Sequence, residues 1–176
     1  TCKNLAHKGF RVTYLNVDEN GFIDINQLKR NICNDTILIS IMMANNELGT
    51  IQNIQEIGRI AHCNNIVFHT DAVQAVGNMN VDMLSMSAHK FYGPKGVGAL
   101  YVRKGINFER IQDGGHQEKN KRSGTENVAG IVGIGTAVNL IYNEFDSYNN
   151  KLKYLRDYYI TQIEKNIPNI KLNGDK

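Results

Sequence analysis

A chain of 176 residues with 41% hydrophobic content is long enough to bury one good core and reads as a soluble globular domain. Its net charge of +3 mixes 20 Lys and Arg with 17 Asp and Glu and gathers into no basic tract, so nucleic acid is excluded as the expected partner. No apolar run reads as long enough to span a bilayer, and residues 1–5 are not expected to be a signal peptide. Cys2, Cys33 and Cys63 are odd in number and form no CxxC pair, so neither a disulfide framework nor a zinc site is expected. A reducing, cytoplasmic setting is the default.

In chain order the pattern alternates strand and helix. Residues 10–17 read as a strand, followed by a turn at Asp18-Glu19-Asn20-Gly21. Asp24, with Gln27 three residues on, has the form of a capping box opening a helix through Ile32. Residues 36–44 form a continuous apolar strand, and Ile54, Ile57, Ile60 and Ala61 recur at helical spacing between 53 and 64. Strands follow near 66–70, 81–87 and 99–103, with no repeats and no low-complexity linker. The sum is an α/β chain with a largely parallel core sheet.

The final third is different. Ile141, Phe145, Tyr148, Leu152, Leu155, Tyr159 and Ile163 recur every three or four positions until Pro168, which predicts one long helix, or two with a break near 146–150. Ser123 with Glu126 makes a capping box ahead of it. Gly133-Ile134-Gly135 has no strand before it, so it suits close helix packing and not a dinucleotide fingerprint. Residues 93–98 lack the Gly-Lys-Ser/Thr ending of a phosphate loop.

Chemistry concentrates at two strand ends. The apolar run Met83-Leu84-Ser85-Met86-Ser87-Ala88 closes on His89-Lys90 and opens into the glycine-rich 91–98. A lysine buried at a strand end is expected to lose ammonium character and to become an amine able to attack a carbonyl. Upstream, Ile66-Val67-Phe68-His69-Thr70 runs into Asp71, Ala72 and Gln74, as expected of the carboxyl edge of an α/β sheet where ligands bind. Carboxylate, methyl, amide and lysine together could grip a heteroaromatic ring. Pyridoxal phosphate needs that set, because its ring withdraws electrons only while a nearby carboxylate keeps the nitrogen protonated. A lone Asp at such a place is otherwise a cap or turn residue.

Four segments in order now resemble one family, the class V aminotransferase-like cysteine desulfurases, with selenocysteine lyases as near relatives. They are Met43-Ala44-Asn45-Asn46-Glu47-Leu48-Gly49, then His69-Thr70-Asp71-Ala72-Val73-Gln74, then residues 87–96, and finally Gly114-Gly115-His116-Gln117-Glu118 with Arg122-Ser123-Gly124-Thr125-Glu126-Asn127. The resemblance covers essentially the whole chain. It implies the large domain of the fold-type I aminotransferase class, a mainly parallel sheet flanked by helices with a long C-terminal helix. By the same resemblance residues 1–140 are a partial cofactor-binding domain, 141–167 a linking helix and 168–176 the start of a small domain, with residues 170–173 as its first strand. Family enzymes are more than twice this long. Their phosphate loop and ring-stacking histidine would precede Thr1, and their sulfur-accepting cysteine and substrate-binding arginine would follow Lys176. No catalytic cysteine is therefore assigned, since Cys33 and Cys63 follow helical patterns and read as packed or peripheral.

The roles implied by the resemblance fall on particular residues. Lys90 would bond the cofactor's aldehyde carbon and later move the substrate's α-proton. Asp71 would hold the ring-nitrogen proton, Ala72 would pack on the ring face, and Gln74 and Asn46 would bond the ring oxygen. Ser87 and His89 would donate to the phosphate, and Thr125 would reach the phosphate of a neighbouring subunit, implying a homodimer. L-cysteine would be the substrate, and a sulfur acceptor or iron–sulfur scaffold protein the partner; the alternatives are a selenocysteine lyase or a non-catalytic fragment. Plain rivals stand beside these roles: Asn46 as a backbone-satisfying residue after its strand, Thr125 as a first-turn residue, His89 as a structural histidine. His69, on the same strand face as Asp71, could support the site from behind its contacting residues, but it is not counted among them. Two departures from the family pattern are visible. Only Asn78-Met79-Asn80 separates Gly77 from Val81, where several more residues are usual, and His116 stands where a third glycine is common.

Overall fold

The computed structural model describes residues 1–71 and 80–175. Its centre is a four-stranded sheet in the order β1 (Leu38–Ser40), β2 (Val67–Asp71), β3 (Met83–Ser87), β4 (Gly98–Val102). The first three strands are parallel and β4 joins antiparallel. The predicted 36–44 strand is shorter as a paired element, but Ile41 N and Met43 N still donate to His69 O and Asp71 O, each at 3.1 Å. The ladder thus continues along the edge of β2 toward the site.

One face of the sheet is covered by α3 (Ile54–Cys63), which crosses between β1 and β2. Asn53 caps it by accepting from Glu56 N at 3.1 Å. Ile54, Ile57, Ile60 and Ala61 then bury against Ile39, Ile66, Phe68, Val81 and Leu84. Each such aliphatic side chain stabilises the fold by roughly 1.5–3 kcal/mol on burial. Contact is close because Gly58 has no side chain: a Cβ there would stand 2.2 Å from Asn80 O. Of the two smaller helices, α1 (Cys2–His7) buries no residue, while α2 (Ile25–Asn31) contributes Leu28 to the same core.

At the head of β3 lies a buried acid. Asp82, 4% exposed, accepts from Phe68 N at 2.8 Å and pairs with His62 Nε2 at 3.0 Å and Arg103 Nη1 at 3.2 Å. Arg103 also donates to Val81 O. One carboxylate therefore links α3, β2 and the segment after β4. Thr70 Oγ1, on the α3 side of β2, is buried with no hydrogen-bond partner among the described residues.

A second core forms where the turn after β3, a 3-10 helix Ala88–Phe91, meets α5 (Val128–Asn166), with Ala88, Phe91, Ile134 and Ala137 buried together. Glycines set the approach: a Cβ on Gly133 would lie 2.8 Å from Pro94 Cγ, and one on Gly130 3.1 Å from Val97 Cβ. The close packing expected of Gly133-Ile134-Gly135 is thus seen at Gly133, while Gly135 faces open space. Tyr92, held at φ 65°, bonds the hydroxyl of Tyr148 with the rings edge-on at 6.0 Å. The helix is 39 residues long and unbroken through 146–150. It also contains an 18-residue window with a mean hydropathy of 1.3, so by length and composition it could cross a membrane, contrary to the expectation that no run is long enough. The glycine contacts just described give part of that stretch a protein partner.

Several expectations are corrected. Residues 10–17 form no strand; among the described residues only Val17 pairs, in a bridge to Ile23 across the Asp18 turn. Asp24 does cap α2 by accepting from Asn26 N, but Gln27 turns away and accepts from Asn16 N, so the box is half made. Asn127, accepting from Gly130 N at 3.1 Å, caps α5 in place of Ser123, whose hydroxyl is buried and donates to Gly115 O. Residues 170–173 form no strand. Cys2, Cys33 and Cys63 are all free and exposed, so of the two readings for Cys33 and Cys63 the peripheral one holds. The shortened segment after Gly77 lies mostly outside the described residues.

Removing one partner of a buried, hydrogen-bonded ion pair leaves the others uncompensated. Asp82→Ala is expected to cost about 3 kcal/mol, seen as a lower urea midpoint, and an unchanged midpoint would show the cluster to be dispensable.

Candidate functional site

Because β1, β2 and β3 run parallel, their carboxyl ends leave the sheet at one edge. Five of the residues singled out by the sequence stand there. Asn46 lies beyond β1, Asp71 is the last residue of β2, and Ser87, His89 and Lys90 end β3 and form the turn after it. Ala72 and Gln74 lie outside the described residues. Thr125 is exposed in the loop ahead of α5, and no hydrogen bond among the described residues joins it to the other five.

Local bonding shows which side chains are left available. The loop after β1 closes through a bridge between Ala44 and Ile51, with Asn45 N donating to Thr50 O at 3.0 Å. Asn45 Oδ1 accepts from Glu47 N and Leu48 N at 2.9 and 2.8 Å. The backbone-satisfying asparagine is therefore Asn45, and Asn46 is exposed with no side-chain hydrogen bond among the described residues. Asp71 is exposed likewise, opposite Ser85 in the register, and no hydrogen bond or ion pair among the described residues engages its carboxylate.

Lys90 overturns one expectation. In the 3-10 turn Ala88 and Phe91 share the inner side and are buried, at 0% and 4% exposure. His89 and Lys90 between them are turned outward and exposed. The buried position expected of this lysine is thus not seen among the described residues. The turn does present it at the same edge as Asp71, on a base fixed by the second core.

His69 is a residue that sequence reasoning left out of the site. Its Nδ1 meets Ser40 Oγ and its Nε2 meets Ser85 Oγ, both at 2.8 Å. Burial pushes its pKa below the ordinary histidine value, against the opposing pull of the Asp71 carboxylate. A signal was present in the sequence. Small hydroxyl residues stand at Ser40 in β1 and at Ser85 in β3, and period-two alternation puts them on the His69 side.

The loop that carries Thr125 is shaped by its own side chains. Ser123 Oγ donates to Gly115 O at 2.8 Å, and Gly124 N donates to Gln117 Oε1 at 3.1 Å. Between them the short turn α4 (Gln117–Asn120) contains Glu118, Lys119 and Asn120 with φ of 48°, 54° and 65°, and His116 bonds Asn120 across it. Three consecutive left-handed residues of this kind store strain of order 1 kcal/mol or more each.

An unengaged carboxylate, an amide, a hydroxyl, an imidazole and a primary amine on one sheet edge form a donor set suited to an anionic ligand with a protonated ring nitrogen and a carbonyl. The family described as Aminotransferase class-V matches residues 1–176. The chain is 52% identical to a cysteine desulfurase IscS of Clostridium botulinum, covering 100% of this chain and 46% of that protein. A cysteine desulfurase IscS of Dictyoglomus turgidum is 54% identical over 99% of this chain and 46% of its own length. A solved NifS-like protein superposes with a TM-score of 0.87 at 41% identity, covering 93% of this chain and 47% of that one. The chain therefore spans about half the length of the relatives it matches.

A histidine held neutral by its surroundings binds fewer protons in the folded state than in the unfolded one. Its stabilising contribution is fully present above the ordinary histidine range and is lost as pH falls through the lowered folded value. In an NMR titration His69 is expected to protonate at a lower pH than a free imidazole. A midpoint at or above the ordinary value would show that burial does not dominate there.

Proposed function

Because the chain belongs to the aminotransferase class-V family, we propose that it is the central part of the cofactor-binding domain of a pyridoxal-phosphate-dependent cysteine desulfurase. Such an enzyme converts L-cysteine to L-alanine and passes the sulfur to an enzyme persulfide, which supplies iron–sulfur cluster assembly. One observation carries the reading. Asn46, Asp71, Ser87, His89 and Lys90 end or follow three adjacent strands at one edge of the sheet, and all but the half-buried Ser87 are exposed. The chain's likeness to proteins named cysteine desulfurase supports the substrate.

When bound, pyridoxal phosphate supplies an electron sink for the carbanion left by loss of the α-proton. Lys90 would hold the cofactor by its aldehyde carbon and, as an amine, would take the α-proton at its Nζ. The Asp71 carboxylate keeps the ring nitrogen protonated, which its lack of a competing partner among the described residues permits. Asn46 would bond the ring oxygen; the family resemblance gives the same role to Gln74 and a place against the ring to Ala72, both of which lie outside the described residues. Ser87 and His89 donate to the phosphate, at the end of a strand followed by a tight turn. Thr125, on its clamped loop, serves the phosphate of a second subunit in a homodimer. The setting is cytoplasmic, and the partner is a sulfur acceptor or iron–sulfur scaffold protein. None of Cys2, Cys33 and Cys63 is given the sulfur-accepting role.

Borohydride reduction of the loaded protein is expected to fix the pyridoxyl group on the peptide containing Lys90; recovery on Lys95 or Lys104 would remove the assignment. Asp71→Asn is expected to keep some cofactor but to lose activity on the order of a hundredfold, because a neutral amide no longer favours the protonated ring. Near-normal rates of sulfide release in that variant would reduce Asp71 to a turn residue.

A further inference from the structure

His69 takes no part in the roles above, yet both of its ring nitrogens are engaged. Through Ser40 Oγ on β1 and Ser85 Oγ on β3, each at 2.8 Å, a single imidazole ties three adjacent strands together. Strand alternation puts His69 and Asp71 on the same face, and the register sets Ser85 directly opposite Asp71. A neutral imidazole has one donor and one acceptor, so the three groups make a directed chain in which one hydroxyl accepts and the other donates. A cationic ring would instead place a positive charge beside the Asp71 carboxylate. Half-burial works against that form, and the neighbours that bond the ring from β1 and β3 are uncharged serines.

We propose that His69 is a positioning residue for Asp71: with Ser40 and Ser85 it locks the strand ends in register and leaves the Asp71 carboxylate to the cofactor's ring nitrogen alone. This rests on the role given to Asp71 above. His69 touches neither cofactor nor substrate in this scheme. It acts by fixing where the carboxylate stands and by declining to compete for it.

The test uses the holoenzyme expressed from the complete gene and loaded with pyridoxal phosphate. His69→Leu removes both bonds and keeps bulk, and Ser40→Ala removes one bond at a residue on the neighbouring strand, opposite His69 in the register. Per bound cofactor, His69→Leu is expected to shift the pH midpoint of the visible band of the lysine-bound cofactor by about half a unit or more. It should also lower kcat on the order of tenfold while KM for L-cysteine changes little. Ser40→Ala should move the spectral midpoint in the same direction by less. If the two variants lower only the melting temperature, and keep the wild-type spectral midpoint and kcat per bound cofactor, the proposal is overturned. Should His69→Leu fail to load, Ser40→Ala decides it by the same spectral midpoint. Asp71→Asn, measured alongside, separates the two ideas. Wild-type behaviour there overturns the role of Asp71, and the proposal with it, whereas an impaired Asp71→Asn beside a normal Ser40→Ala and a normal His69→Leu overturns the His69 proposal alone.

Discussion

Parallel pairing, with Ser40 opposite His69 and Asp71 opposite Ser85, decides where three strands end. Everything chemical in this chain depends on that register. A slip of one residue would turn Asp71 and His69 to the α3 face and send Phe68 and Thr70 outward, exchanging the core with the site. The register is held from both faces. On one, Phe68 and Leu84 are clamped under α3, whose approach is set by the absence of a side chain at Gly58. On the other, the imidazole of His69 spans the strands with polar bonds.

Much of this was legible in the chain. Continuous β-branched runs flanking an isoleucine helix of 3.6 periodicity are hard to read as anything but an α/β layer, and Asn53 through Cys63 fell within a residue or so of expectation. What was not legible has physical causes. Residues 10–17 have strand composition, but composition supplies no neighbour, and a strand exists only when its backbone finds a partner. Asp24–Gln27 and Ser123–Glu126 both fit the capping-box pattern. The reciprocal bond was lost in the first because Gln27 found Asn16 N, and the second gave way because Asn127 offered a cap one turn later. Such competition between local partners lies beyond a three-residue spacing rule.

At the site the sequence placed the strand ends correctly but misjudged their surroundings. Lys90 reads as buried because it follows an apolar strand. A 3-10 turn, however, repeats every three residues, so the buried pair is Ala88 and Phe91 and the polar pair between them faces out. The rival reading of Asn46, as a residue that satisfies the backbone after its strand, fails because its neighbour Asn45 makes those bonds.

The glycine seam under α5 has a mechanical side. The turn bearing Lys90 is seated on the first third of a helix roughly 58 Å long, pinned at Gly130, Gly133, Ile134 and Ala137 and tied once more through Tyr92 and Tyr148. Past Asn166 the chain turns back: Lys171 pairs with Glu19 at 3.5 Å, and Gly174 lies so close to Leu48 that a Cβ there would stand 2.6 Å from its carbonyl oxygen. The long helix is thus a strut fastened at both ends, joining the turn that bears Lys90 to the loop that bears Asn46, and a load on either end is felt at the other as force rather than displacement.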